Sequence, residues 1–171
     1  AHILGQTGAV EDQELKIRYH LLLGRTHLLL QNAEQAIANA ENILAEHTNH
    51  MAAGILKVQA LIVALRFKEA LTLIHYLMAN HTITEDLLFY KVEVLLEGNI
   101  NIEEAGKLLV ALKEKVGIDF IKNKLEETHI RFRPQHGNDN FFVAQVYKIL
   151  NDDFSTDDAL QQAEQALQEK V

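Results

Sequence analysis

An all-α fold of stacked antiparallel helix pairs is what this sequence of 171 residues predicts. Three observations lead to it. Apolar residues return three and four positions apart along most of the chain, the spacing that lines one side of a helix. Proline occurs once, at Pro134, and strand-like alternation is nearly absent. Small and apolar residues also recur at a fixed offset of 34 positions, seen first in Ala36 and Ala70, and a fixed offset of this length marks stacked modules.

The first helix carries one apolar stripe through Leu15, Tyr19, Leu22 and Leu29 and a second through Ile17, Leu21 and Leu28. An apolar arc this wide requires cover on more than one side, as a helix between neighbours in a stack receives. The next helix, over 33–46, presents Ala33, Ala36, Ala40 and Ile43, and small side chains let helix axes approach closely. The same alternation returns in 51–65 followed by 67–79, and in 85–97 followed by 101–115. Short connections between them make neighbouring helices antiparallel.

At the offset of 34, Leu23 falls on Lys57, Gly24 on Val58, Ile37 on Leu71 and Leu44 on Met78, and Val92 and Leu95 then fall opposite Val58 and Leu61. Ala105 arrives one residue late. The loop Gly98, Asn99, Ile100 is placed to absorb the slip, with Gly98 ending one helix and Asn101 and Glu104 spaced as a capping box for the next. Beyond Gly117 the period blurs. A helix is expected over 117–128, a loop over 129–139 around Pro134 and Gly137, and two more helices over 140–151 and 155–170, the last capped by Ser155. The expected organisation is a short N-terminal extension, 1–10, three helix pairs in 11–116, and degenerate C-terminal helices in 117–171 that end in a polar capping helix.

The pattern Leu23-Gly24, Ala36 and Ala40 resembles the tetratricopeptide repeat family, over about residues 17–115. His20 stands where that family carries its first aromatic, Thr48 and Thr82 replace the proline that ends each repeat, and Ala70 is the clear match in the second copy. The resemblance implies a right-handed superhelix whose first helix in each pair lines a concave groove that holds another protein or peptide. Mapped position by position, the groove residues would be Arg18, Leu21, Arg25 and Leu28, then Gln59 and Ile62, then Phe89, Glu93 and Leu96. The paired lysines and asparagines of a chaperone-type carboxylate clamp are absent.

Composition narrows the function classes. Apolar residues make up 48% and charged residues 23%, the balance of a folded globular chain and not of a disordered one. Net charge is -8, so the surface repels phosphates and nucleic acid is disfavoured as a partner. There is no cysteine, which excludes disulfides, thiolate catalysis and sulfur-ligated zinc. The apolar runs are too short to cross a membrane. Nine histidines raise a metal reading, but His47 with His50, His75 with His81 and His129 with His136 lack the two-histidine helix face with a carboxylate that a catalytic zinc needs. His20 and His27 share a side of one helix and line a surface there. Glu103-Glu104 and Glu126-Glu127 are neighbours that point apart on a helix, and the lone serine, Ser155, is explained as a cap. No catalytic residue, metal or cofactor is expected, and Arg131-Phe132-Arg133 is expected to anchor a loop.

The expected function is therefore a protein-interaction module, an adaptor, assembly factor or scaffold. A regulatory domain that senses a small ligand between helices, and a homo-oligomeric element pairing its end helices across a two-fold axis, stay open beside it. The start at Ala1 fits a mature exported protein, a fragment or a trimmed chain equally, and the compartment is left open.

Overall fold

The computed structural model describes residues 2–127 and 139–153, and among them the chain forms eight helices and no strand. The helices are α1 (His2–Leu29), α2 (Ala33–Leu44), α3 (Met51–Val63), α4 (Phe67–Asn80), α5 (Glu85–Glu97), α6 (Ile102–Val116), α7 (Ile118–Leu125) and α8 (Asp139–Asp153). Most of the expected loop 129–139 and the whole of the expected helix 155–170, with the capping role of Ser155, lie outside the described residues. So do Arg131-Phe132-Arg133 and the histidines at 129 and 136. α1 begins at His2, within the segment 1–10, and continues without a break to Leu29.

From α1 to α6 each helix packs on the next, and the odd-numbered helices also touch across the pairs, α1 on α3 and α3 on α5. Short connections between touching helices leave them antiparallel. α6 then meets both α7 and α8. One continuous core runs through the stack, from Leu28 and Ala36 through Leu56, Leu61, Ile74, Leu77, Phe89 and Leu95 to Leu109, Ile121, Phe142 and Leu150.

The period of the sequence is written into the backbone at three places. Gln31, Leu65 and Asn99 adopt left-handed conformations with φ of 61°, 61° and 50°. Each follows an odd-numbered helix. The next residue in each case, Asn32, Arg66 or Ile100, donates its N–H back to His27, Leu61 or Leu95 at 2.7, 2.9 and 3.0 Å. This six-to-one bond, with a left-handed residue before it, satisfies carbonyls that a helix end would otherwise leave bare. Spacing stays constant through Ile100, so the extra residue lies in the approach to Asn101, which accepts from the Glu104 N–H at 3.0 Å and starts α6. Gly98 ends α5 as the sequence suggested, but with a φ of -77° it leaves the left-handed position to Asn99. It is small for another reason, since a Cβ there would sit 2.8 Å from the Phe67 Cβ.

Close approach explains the alanines of α2. Ala36 and Ala40 are fully buried, and across from them Gly24 lets α1 meet α3 so closely that a Cβ would fall 2.5 Å from Leu56 Cδ2. His20, in the position of the missing aromatic, hydrogen-bonds through Nδ1 to the Oδ1 of buried Asn39 at 3.0 Å, while Asn39 Nδ2 donates to the Gln35 carbonyl at 2.8 Å. Both ends of the Asn39 amide are thereby satisfied, as a buried polar group requires.

Candidate interaction surface

The nine residues mapped to a groove do not share one surface. Arg18 and Arg25 are exposed on α1, Leu21 is half-buried beside them, and Gln59 is half-buried on α3. Leu28, Ile62, Phe89, Glu93 and Leu96 are all buried, Leu28 and Phe89 completely. Their side chains are core and offer no surface to an incoming partner. The open part of the expected groove is therefore confined to α1 and α3.

Contacts among α3, α5 and α7 account for much of this closure. Gln59 Nε2 donates to the Tyr90 hydroxyl at 2.9 Å, and Lys124 of α7 lies over the Tyr90 ring with Nζ 5.3 Å from its centre. Lys124 Nζ meets the Asp86 carboxylate at 2.8 Å and Glu127 at 3.4 Å. Burial by itself would depress the lysine, but the Asp86 hydrogen bond, helped by the negative surroundings, holds it above its ordinary value. Burial pushes the Tyr90 hydroxyl up to about 12, against the pull of Lys124, so it remains a neutral acceptor for Gln59. Lys91 to Glu104 at 2.8 Å and Lys115 to Glu85 at 2.9 Å tie α5 to α6.

Apolar surface appears instead on the outward side of α1. Leu15, Tyr19, Leu22 and Leu30 are each 60–69% exposed, and Leu29 is 45% exposed. With Thr26 they run 15, 19, 22, 26, 29, steps of four and three that keep a nearly straight seam along a helix. The opposite side of the same helix, through Ile17, Leu21, Gly24 and Leu28, faces α2 and α3. Of the two stripes legible in the sequence, one is covered and one is bare. Other exposed apolar residues, Val10, Leu65, Tyr76, Ile83, Ile100, Ile102 and Val116, are scattered singly or in twos over helices and connections, which is ordinary for a protein surface. A seam of five large side chains on one helix is not.

One edge of the seam is charged in two blocks. Glu11 and Glu14 stand on its N-terminal half, Arg18 and Arg25 on its C-terminal half, and all four are exposed. None forms an ion pair among the described residues. On the other edge Lys16 reaches Glu46, two residues past the end of α2, at 3.3 Å. The 4-3-4 spacing was the sequence signal for this face; reading it as one half of a core obscured it.

Elsewhere the surface is less specific. Between α6 and α8 an open trough is lined by Ile102, Gly106, Val110 and Ile149 with Glu103, Lys107 and Glu114 at its rim. A space of about 10 Å³ between α1 and α2, beside Ile17, His20 and His47, is the size of one water. Among the described residues no three histidine or carboxylate side chains gather where a metal ion would need them, and no helix is long and apolar enough to cross a membrane. No protein-family model, no curated protein and no solved structure matches the chain.

Proposed function

We propose that this protein is an interaction module of the tetratricopeptide kind, a scaffold or adaptor that holds a helical segment of a protein against the outward face of α1. The observation that carries the reading is the uncovered seam Leu15, Tyr19, Leu22, Leu29 and Leu30 on an otherwise packed helix stack. Large apolar side chains left in water on one face favour a partner that removes them from it, at roughly 25 cal/mol per Å² of apolar area covered. An amphipathic helix fits a straight seam of this length, presenting its own apolar residues three and four apart. Arg18 and Arg25 along the edge add a preference for carboxylates on that helix and suppress basic partners.

This moves the binding surface from the concave groove to the flank of α1, while keeping Arg18 and Arg25 in it. Capture from the source cell's extract tests the reading, comparing the wild-type chain with Leu22→Asp. Leu22 is 68% exposed, so the substitution leaves the core intact. The reading expects protein bound by the wild type and lost from the variant. Equal capture by both, or none by a wild type that is itself monomeric, refutes it.

A further inference from the structure

The proposed occupant of the α1 seam is an apolar helix that carries carboxylates, and this chain contains one. We infer that the partner on that face is α1 of a second copy, the two helices lying antiparallel across a two-fold axis near Arg18. This rests on the reading of the seam as a protein-binding face and names what it binds.

Three observations point to self-pairing. The steps of four and three through Leu15, Tyr19, Leu22, Thr26 and Leu29 are the spacing at which two helices keep one continuous line of contact, and about an axis near Arg18 Leu15 of one copy lies beside Leu22 of the other and Tyr19 beside Tyr19. Its charged edge is divided lengthwise, with Glu11 and Glu14 before the midpoint and Arg18 and Arg25 after it. Antiparallel pairing brings like edges together and, about an axis near Arg18, sets Glu11 of each copy opposite Arg25 of the other, with Arg18 close to the axis and about one helical turn from Glu14 of the other copy. Parallel pairing would instead set the charged edge of each copy against the opposite edge of the other, where Lys16 is already engaged, and leave the two blocks without each other. Finally, these four charges make no ion pair among the described residues, although Glu14 and Arg18 are one turn apart, so they are available across an interface. Lys16, on the opposite edge, is already engaged by Glu46 and takes no part. A two-fold contact of this kind closes after two copies, because each seam is used up by the other.

Sedimentation equilibrium of the whole chain tests the inference, with charge exchange as its specific arm. The wild type is expected at twice the chain mass at about 100 µM, and Leu22→Asp to dissociate at least tenfold more readily. Glu11→Lys with Glu14→Lys makes the edge wholly basic, and Arg18→Glu with Arg25→Glu makes it wholly acidic. Each double variant alone is expected to be monomeric, and an equimolar mixture to recover a dimer. All five positions are exposed, so circular dichroism should report unchanged helix content in every variant. A wild type that remains monomeric at that concentration overturns the inference, as does a Leu22→Asp variant whose dimer dissociates no more readily than the wild type's. A mixture that stays monomeric overturns the antiparallel arrangement. Where the wild type is monomeric yet loses a different captured protein on Leu22→Asp, self-pairing falls while the binding role of the face stands; where nothing is captured either, both fall.

Discussion

Gly54→Ala is expected to destabilise the protein, although alanine is the better helix former. In a helix interior the exchange by itself gains about 1 kcal/mol. At Gly54 the new Cβ would stand 2.6 Å from Leu77 Cδ2, 3.0 Å from Cδ1 and 3.4 Å from Cγ. Both methyls and the branch point are in the way, so turning the leucine exchanges one collision for another. Leu77 is also fully buried, leaving α4 to move off α3 instead. Overpacking of this kind costs about 1–3 kcal/mol, and a contact of three atoms in a closed core belongs at the upper end. The net loss is then about 1–2 kcal/mol, a fall in melting temperature of about 4 °C for a chain of this length. Gly106→Ala is the internal control. Its Cβ would meet only Ile149 Cγ2, at an ordinary 3.7 Å, so the helix gain of about 1 kcal/mol should survive. Urea unfolding followed by circular dichroism separates the pair by roughly 2–3 kcal/mol. Were Gly54→Ala as stable as the wild type, the close approach of α3 to α4 would not exist as described.

Leu65→Gly should stabilise, by about 1 kcal/mol in thermal unfolding, since Leu65 holds a φ of 61° with its side chain 57% exposed and little packing to lose. His50 accepts the Ala53 N–H on Nδ1 at 3.2 Å to cap α3, a role only its neutral ring can fill. Burial, and then repulsion from His47, hold it below its ordinary value near 6.5. Because the folded value is depressed, this contribution is complete above about 6.5 and is lost as pH falls through the lower folded value. His50→Asn keeps a cap that does not titrate, so its melting temperature relative to wild type should rise between about pH 7 and pH 5; a constant difference would refute the cap. Asp86→Ala should cost more than Lys124→Met in denaturant titrations, by about 1 kcal/mol, because the first takes from a buried ammonium the shorter of its two carboxylate contacts, leaving Glu127 at 3.4 Å, and the second leaves carboxylates at Asp86 and Glu127 that are half in water.

Much of the fold was legible because local and global signals agree. The alternation of 33–46 with 51–65 and 67–79 foretold α2, α3 and α4 to within a few residues, and Asn101 marked the start of α6 through its cap. The offset of 34 reappears at Gln31, Leu65 and Asn99, two carboxamides and a leucine; the backbone repeats there more faithfully than the side chains do. Gly98 ends α5 as its position suggested, but at an ordinary φ, and its smallness yields space to Phe67.

The surface was less legible than the core. Leu28, Ile62, Phe89 and Leu96 sit at groove positions by register, but an apolar residue at such a position is core wherever another element covers it. Nothing local in the sequence announces that Lys124 closes over Tyr90 from α7, a contact between residues far apart in the chain. On α1 the difficulty was the reverse. Both stripes were visible, and periodicity treats a covered stripe and a bare one alike.

Footprinting of exposed side chains by a photoactivated carbene tests the central claim most directly, comparing dilute purified protein with the same protein in the source cell's extract or at about 100 µM. The account predicts that labelling of Leu15, Tyr19, Leu22, Leu29 and Leu30 falls together while Leu65, Ile83 and Ile102, exposed elsewhere, keep theirs. Equal labelling of the α1 seam under all conditions would show that nothing covers this face, and would contradict the account.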